Sequence, residues 1–145
     1  MKLLCLPFAL IFALSCSGGD SGLHDGYYTA EAARFDSHGW KEFVTICVRN
    51  SKIITIEYNA KNPSGFIKSW DMDYMRHMSK VEGTYPNEYT RIYASRLLDK
   101  QNPEELDVVT GATESYEKFK QLASAVISQA KAGDTHVAAV EIIAE

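Results

Sequence analysis

The residues best suited to chemistry lie together in "DVVTGATESYEKF", Asp107 to Phe119. Two hydroxyls, Thr110 and Thr113, flank Gly111 and Ala112, with Asp107 upstream and Ser115 downstream. A hydroxyl at a helix start stands among backbone N–H groups that lack an intrahelical partner, and such a place binds phosphate well. Gly111 and Ala112 also leave room for a bulky group, or for another protein, to approach the backbone. A plainer reading uses the same residues. Gly111 relaxes the turn, Thr113 or Ser115 caps the helix, and Glu114 and Glu117 suit its positive end. Taken alone, the residues leave the helix cap and the anion site both open.

Other familiar chemistry is missing. The chain has no Cys-x-x-Cys, no His-Glu-x-x-His, no phosphate loop and no Gly-x-Ser-x-Gly. His24, His38, His77 and His136 are scattered without ligand spacing on one element, and read as surface or hydrogen-bonded side chains. Cys47 alternates with core positions on a strand and reads as a half-buried small hydrophobe. A net charge of −4 with no run of Lys or Arg argues against a nucleic-acid partner.

The elements that must position Asp107–Ser115 follow from periodicity. At 145 residues and 46% hydrophobic content, the chain supports one domain with its own core. "GYYTAEAARF" reads as a first strand and Asp36–Gly39 as a turn. "EFVTICVRN" and "KIITIEYNA" alternate around Asn50-Ser51 as a hairpin, with Ile54, Ile56 and Tyr58 on one side and Ile53, Thr55 and Glu57 on the other. After the loop Lys61–Gly65, Met72, Tyr74, Met75 and Met78 fit a short helix. A second helix begins near Thr84, a cap candidate, with Pro86 in its first turn, and ends near Lys100. The stripe Tyr116, Phe119, Leu122, Ala123, Val126, Ile127 and Ala130 marks a long third helix closed by Gly133. Thr135–Glu145 reads as a last strand. The expected class is α+β, a single domain with an antiparallel sheet and two to three packed helices.

The N-terminus reads as a targeting segment. Lys2 precedes the 12-residue apolar run Leu3–Leu14, which suits a signal peptide and is too short to span a membrane. Met1–Ser15 is the expected signal peptide. The segment resembles a bacterial lipoprotein signal, with Cys16 as the lipidated first residue of the mature chain. It departs from the usual pattern in carrying Ala13, not Leu, three residues before the cysteine. Ordinary cleavage after Ser15 is the alternative. Removing Met1–Ser15 takes away one Lys and brings the charge to −5. Residues 16–24 then form the lipidated cysteine and a tether. Ser17–Asp25 is Gly/Ser-rich, and about nine such residues reach roughly 15–18 Å. Cys47 is left as the only free thiol, so no internal disulfide forms.

Asp107-x-x-Thr-Gly-Ala-Thr-x-Ser115 looks like the flavinylation motif of the FMN-binding domain family. The upstream "FDSHGWK" and Lys68-Ser69-x-Asp71-x-x-Tyr74 with Met78 are similar to the lipoprotein branch of that family, including single-domain spirochaete members. The likeness covers roughly Asp25 to Gly133, and implies that residues 25–145 form an FMN-binding domain. It implies covalent FMN on Thr113 through a phosphoester, attached by a flavin transferase that uses FAD and Mg²⁺. Thr110, Gly111, Ala112 and Ser115 would belong to the attachment site. Asp107 would position the loop or touch the transferase's metal, or be only a turn residue. Lys68, Trp70, Tyr74 and Met78 would line the ring, or pack in the core with Lys68 solvated. Trp40 is expected in the core.

The resemblance implies an extracytoplasmic electron carrier, held to a membrane by its lipid and exchanging electrons with a redox protein or quinone. A small carrier is favoured over a quinone-reductase subunit, whose extra segments this chain has no length for. The rival expectation is a non-redox lipoprotein in which Thr-Gly-Ala-Thr only caps a helix.

Overall fold

The computed structural model describes residues 22–143. The signal segment 1–15, the Cys16 lipidation site and the tether to residue 21 lie outside the described residues. Strands β1 (Gly26–Ala32), β2 (Lys41–Arg49) and β3 (Lys52–Lys61) come first, followed by helices α1 (Met72–Glu82), α2 (Pro86–Lys100) and α3 (Thr113–Ala132). A short β4 (Ala138–Val140) comes last, and 3₁₀ turns occupy Lys68–Trp70 and Pro103–Glu105. The fold is α+β in one domain. The sheet order is β3-β2-β1-β4; β1, β2 and β3 run antiparallel, and β4 lies parallel to β1. The last strand thus makes the sheet mixed. It is also much shorter than Thr135–Glu145, because only Ala138–Val140 pairs with β1.

Helices α2 and α3 cover one face of the sheet. Strand residues Tyr28, Ala30, Val44, Ile46, Val48, Ile53 and Tyr58 meet helix residues Tyr89, Tyr93, Leu97, Phe119, Leu122 and Val126 there. Phe119 lies 4.6 Å from the Tyr58 ring and stacks on Tyr93 at 5.6 Å, so the aromatic centre of the core sits under the start of α3. The opposite face is polar, with Thr29 and Thr45 hydroxyls 2.9 Å apart and Glu31 bridging Lys41 and Lys61. Trp40 is buried, as its pattern suggested.

The β2–β3 hairpin turns at Asn50 and Ser51, with φ of 52° and 57°. Positive φ at both central residues is the type I′ geometry that matches strand twist. Strict alternation in β3 fails at one place. Cys47 pairs with Thr55 but Val48 with Ile53, so Ile54 is an extra residue in a bulge. Ile53 is therefore buried (2% exposed) and Ile54 faces out (47%), while Tyr58 keeps its place in the core.

Two further boundaries differ from the sequence reading. Tyr85, not Thr84, holds the cap position of α2, and the Thr84 hydroxyl donates instead to Glu88 at 2.9 Å. The tether also ends sooner than Asp25. Leu23 packs against the core, and the His24 amide donates to the Ala130 carbonyl at 2.9 Å.

Ser51 carries a Cβ in the left-handed region, a strain that glycine lacks. Ser51→Gly is expected to raise stability by about 0.5–1 kcal/mol, read as a higher urea midpoint at unchanged slope.

Candidate functional site

The turn before α3 is held from below by aromatic hydroxyls. Tyr93, fully buried on α2, accepts from the Val109 amide at 2.9 Å and donates to the Ala112 carbonyl at 3.0 Å. The Ala112 amide reaches the Val109 carbonyl at 3.0 Å, closing the turn. Tyr116 donates to the Leu106 carbonyl, and Arg96 to that of Asp107. Residues 106–112 are thereby fixed without a regular element.

Gly111 is required twice over. Its φ is 80°, and a Cβ built there would stand 2.3 Å from the Glu82 carbonyl oxygen. The end of α1 thus rests directly on the Thr-Gly-Ala-Thr turn, and Gly83 ends that helix in the left-handed region. At its other end α1 is capped by Asp71, which accepts from the Tyr74 amide at 2.9 Å.

Ala112 occupies the cap position of α3, and no side chain makes a cap hydrogen bond there. This corrects the expectation that Thr113 or Ser115 caps the helix: both already lie inside its first turn, Thr113 exposed and Ser115 buried. A helix start that lacks a cap acceptor keeps its partial positive charge and its donors for something else.

Those donors border a cleft of about 400 Å³. Tyr74, His77, Met78, Val81 and Glu82 of α1 form one wall, and Gly111–Ser115 with Lys118 form the other. Lys68, Tyr89, Asp36 and His38 complete it. Lys68 is only 7% exposed, with its ammonium 5.2 Å from the Tyr74 ring centre and 5.9 Å from that of Trp40. Among the described residues it has no carboxylate within ion-pair distance. Burial lowers its pKa, partly offset by Glu42 and Asp36. Asn59 fixes this turn, donating from its amide nitrogen to the Ser69 hydroxyl at 2.8 Å.

Lys118 is differently placed. It lies 2.7 Å from Glu114, 3.3 Å from Asp36 and 3.7 Å from Glu42. Burial works against its charge, yet these carboxylates hold its pKa above the ordinary lysine range. Glu114 in turn is held low by Lys118. Behind them Glu42 is buried in the core wall, its Oε2 2.5 Å from the Tyr58 hydroxyl, which is also 2.9 Å from the Ser115 carbonyl. Burial pushes the Glu42 carboxyl above the usual range despite Lys118 and Lys68. A protonated Glu42 can donate to Tyr58, leaving Tyr58 free to donate to Ser115.

Of the residues singled out in the sequence, Lys68, Tyr74, Met78, Gly111, Ala112, Thr113 and Ser115 meet in this cleft. Asp107, Thr110 and Trp70 do not line it. Asp107 engages Arg96 through its carbonyl, and Trp70 is 65% exposed with its ring edge-on to Phe66. Asp36, His38, His77, Val81, Glu82, Tyr89, Glu114 and Lys118 were missed as lining residues. His77, Val81 and Glu82 were within reach, because they continue the helical face of Tyr74 and Met78. Among the described residues no group of three or more His, Cys, Asp or Glu side chains could hold a metal ion. No described helix is long and apolar enough to cross a membrane.

No family model matches the chain. It is 38% identical over 130 residues to the "15 kDa lipoprotein" of Treponema pallidum, covering 88% of this chain and 91% of that protein. A Clostridium perfringens protein of known crystal structure superposes with a TM-score of 0.80 at 38% identity, over 83% of this chain and 99% of its own. A solution structure from Clostridium thermocellum, 31% identical over 73% of this chain and 91% of its own, gives a TM-score of 0.49.

Two outcomes follow from this geometry. Gly111→Ala should destabilise the domain by about 1–3 kcal/mol through forced strain at positive φ, with hydrogen exchange in α1 accelerated as Glu82 is displaced. Glu42 has a raised folded-state pKa, so between its unfolded and folded values the native state binds more protons and stability falls as pH rises. Glu42→Gln should remove that slope. Urea midpoints of both proteins, measured from pH 4 upward, check it.

Proposed function

From the premise that this chain belongs to the family of the Treponema pallidum 15 kDa lipoprotein, we propose a membrane-tethered extracytoplasmic flavoprotein. FMN is carried covalently on Thr113 by a phosphoester, and the protein passes electrons between redox partners. Lipidation of Cys16 after removal of Met1–Ser15 tethers it.

The observation that carries this reading is the uncapped start of α3. Thr113 is exposed at the edge of a cleft, among first-turn amides without a cap acceptor, and the same cleft is lined by the buried ammonium of Lys68, which has no carboxylate within ion-pair distance among the described residues. Such a set suits a phosphate dianion. The residues fit the group. The cleft lies within the roughly 300–1,000 Å³ range of cofactor sites, and pairs the apolar faces of Tyr74, Met78 and Val81 with polar groups at one end. When bound, FMN supplies one- and two-electron chemistry, and the protein sets its surroundings.

Thr113 needs help to become a nucleophile. Glu114 is tied to Lys118 at 2.7 Å and held low, which makes it a poor base, and Asp107 stands outside the cleft lining. The flavin transferase, with FAD and Mg²⁺, therefore supplies activation. The Thr113 oxygen–phosphorus bond forms as the pyrophosphate bond of FAD breaks, AMP leaves, and the hydroxyl proton passes to the transferase. The chain's own part is to present the hydroxyl on a rigid turn and to receive the phosphate charge at Lys68 and the α3 amides.

Intact mass after co-expression with a flavin transferase tests this. Wild type should gain the mass of one FMN less water, and Thr113→Ala none. An unmodified wild type leaves a non-redox lipoprotein, and an equal gain in Thr113→Ala overturns Thr113 as the attachment residue. Lys68→Met should cut the fraction loaded in a fixed time about tenfold, the effect of removing one charge-assisted hydrogen bond.

A further inference from the structure

We propose that the unmodified protein already binds a tetrahedral oxyanion reversibly, and that the buried hydroxyls of Tyr89 and Ser115 hold it together with Lys68 and the start of α3. The ligand class is inorganic phosphate or a phosphate monoester. This rests on the reading of the cleft as the place that receives the FMN phosphate, but it needs no phosphoester at Thr113.

The start of α3 offers three donors. Its first backbone bond runs from the Tyr116 amide to the Ala112 carbonyl at 2.9 Å. The amides of Thr113, Glu114 and Ser115 precede that bond and have no helical acceptor, and no side chain caps them. A helix start alone attracts anions only weakly. The wall beside this one sets it apart.

Lys68, Tyr89 and Ser115 line the same cleft and are 7%, 2% and 8% exposed. Among the described residues, Gln129 Oε1 is the one side-chain nitrogen or oxygen sealed from solvent without a hydrogen-bond partner. The Lys68 ammonium has ring faces beside it and no acceptor among the described residues, so its polar end opens onto the cleft. Burial keeps Tyr89 in its protonated, donating form, against the opposing influence of the Ser115 side chain. Where these two hydroxyls bond to each other, one of their two hydrogens is still unspent. An ammonium, a spare hydroxyl hydrogen and three amides are all donors. They call for a ligand with several acceptor oxygens and negative charge.

The neighbouring carboxylates leave room for that charge. Lys118 neutralises Asp36 at 3.3 Å and Glu114 at 2.7 Å. Burial favours the uncharged form of Glu42 behind them. Glu82 stays on the exposed rim. The positive charge left unspent in the cleft is that of Lys68.

The mature chain, made without a flavin transferase, is titrated calorimetrically with inorganic phosphate at constant ionic strength. Wild type should bind one phosphate, and Thr113→Ala should bind it equally well. Tyr89→Phe keeps the ring and loses only the hydroxyl; it should bind about tenfold more weakly. Lys68→Met should lose at least as much. Lys131→Ala, in the last turn of α3 and outside the cleft lining, should match wild type. Phosphate should also raise the urea midpoint of wild type at unchanged slope and leave that of Lys68→Met where it stands, which separates lost binding from lost folding.

No binding by wild type overturns the proposal, as does loss of binding in Thr113→Ala, unchanged binding in Tyr89→Phe, or an equal loss in Lys131→Ala. FMN and riboflavin separate the two sources of phosphate. FMN that displaces phosphate, with riboflavin inert, assigns the site to a monoester; phosphate displaced by neither assigns it to the inorganic ion. Equal displacement by riboflavin puts a ring rather than an oxyanion on these donors and overturns the proposal. An absent FMN mass after co-expression overturns the phosphoester alone, since the titration needs none.

Discussion

The contact between Gly111 and the last carbonyl of α1 is the constraint on which the cleft depends. The Glu82 oxygen occupies the space a side chain at 111 would need, so the turn before α3 and the end of α1 are one packed unit. From that contact α1 runs back along the cleft and places Tyr74, His77 and Met78 opposite the start of α3. The Tyr93 hydroxyl performs the matching task from inside, satisfying both an amide and a carbonyl of the turn. With those backbone groups satisfied internally, the first-turn amides of α3 are left facing outward.

The charges around the cleft are divided unequally. Lys118 is saturated by three carboxylates, and its role is to tie α3 to the Asp36 turn and to Glu42 on β2. Among the described residues Lys68, beside the Tyr74 and Trp40 rings, has no carboxylate within ion-pair distance, and Glu42 and Asp36 act on it only from farther away. A buried ammonium without a close counter-ion is costly, and an anion in the cleft would relieve that cost where it could not at Lys118. Two lysines in one cleft therefore have different chemistry, set by neighbours rather than by residue type.

Much of the architecture was legible in the sequence. The hairpin at Asn50-Ser51, the three helices and the Gly133 stop follow from local periodicity and turn chemistry, which tertiary contacts did not override. The bulge at Ile54 was not legible, because one extra residue reverses the faces of β3 and no single position announces it. The parallel pairing of β4 is also non-local: three residues contribute, and their partner lies at the other end of the chain. Thr113 and Gly111, singled out by the motif, and Lys68, Tyr74 and Met78, singled out by resemblance, line one cleft. Trp70 lies on a 3₁₀ turn outside the cleft lining, with its ring edge-on to Phe66, and a turn of three residues has no periodicity from which that direction could be read. Glu42 was invisible, since an acid within a strand reads as solvent-facing until the opposite element is known.

The separation of Glu82 from Gly111 in the chain has a consequence in time. The wall and the turn belong to segments almost thirty residues apart, and the turn takes its shape from Tyr93 on the helix between them. During synthesis the Thr-Gly-Ala-Thr segment emerges before the rest of α3 can cover the core, so no cleft exists at that moment. The cleft therefore forms only once α1, α2 and the turn before α3 have packed together, and no shorter piece of the chain presents Thr113 in that setting.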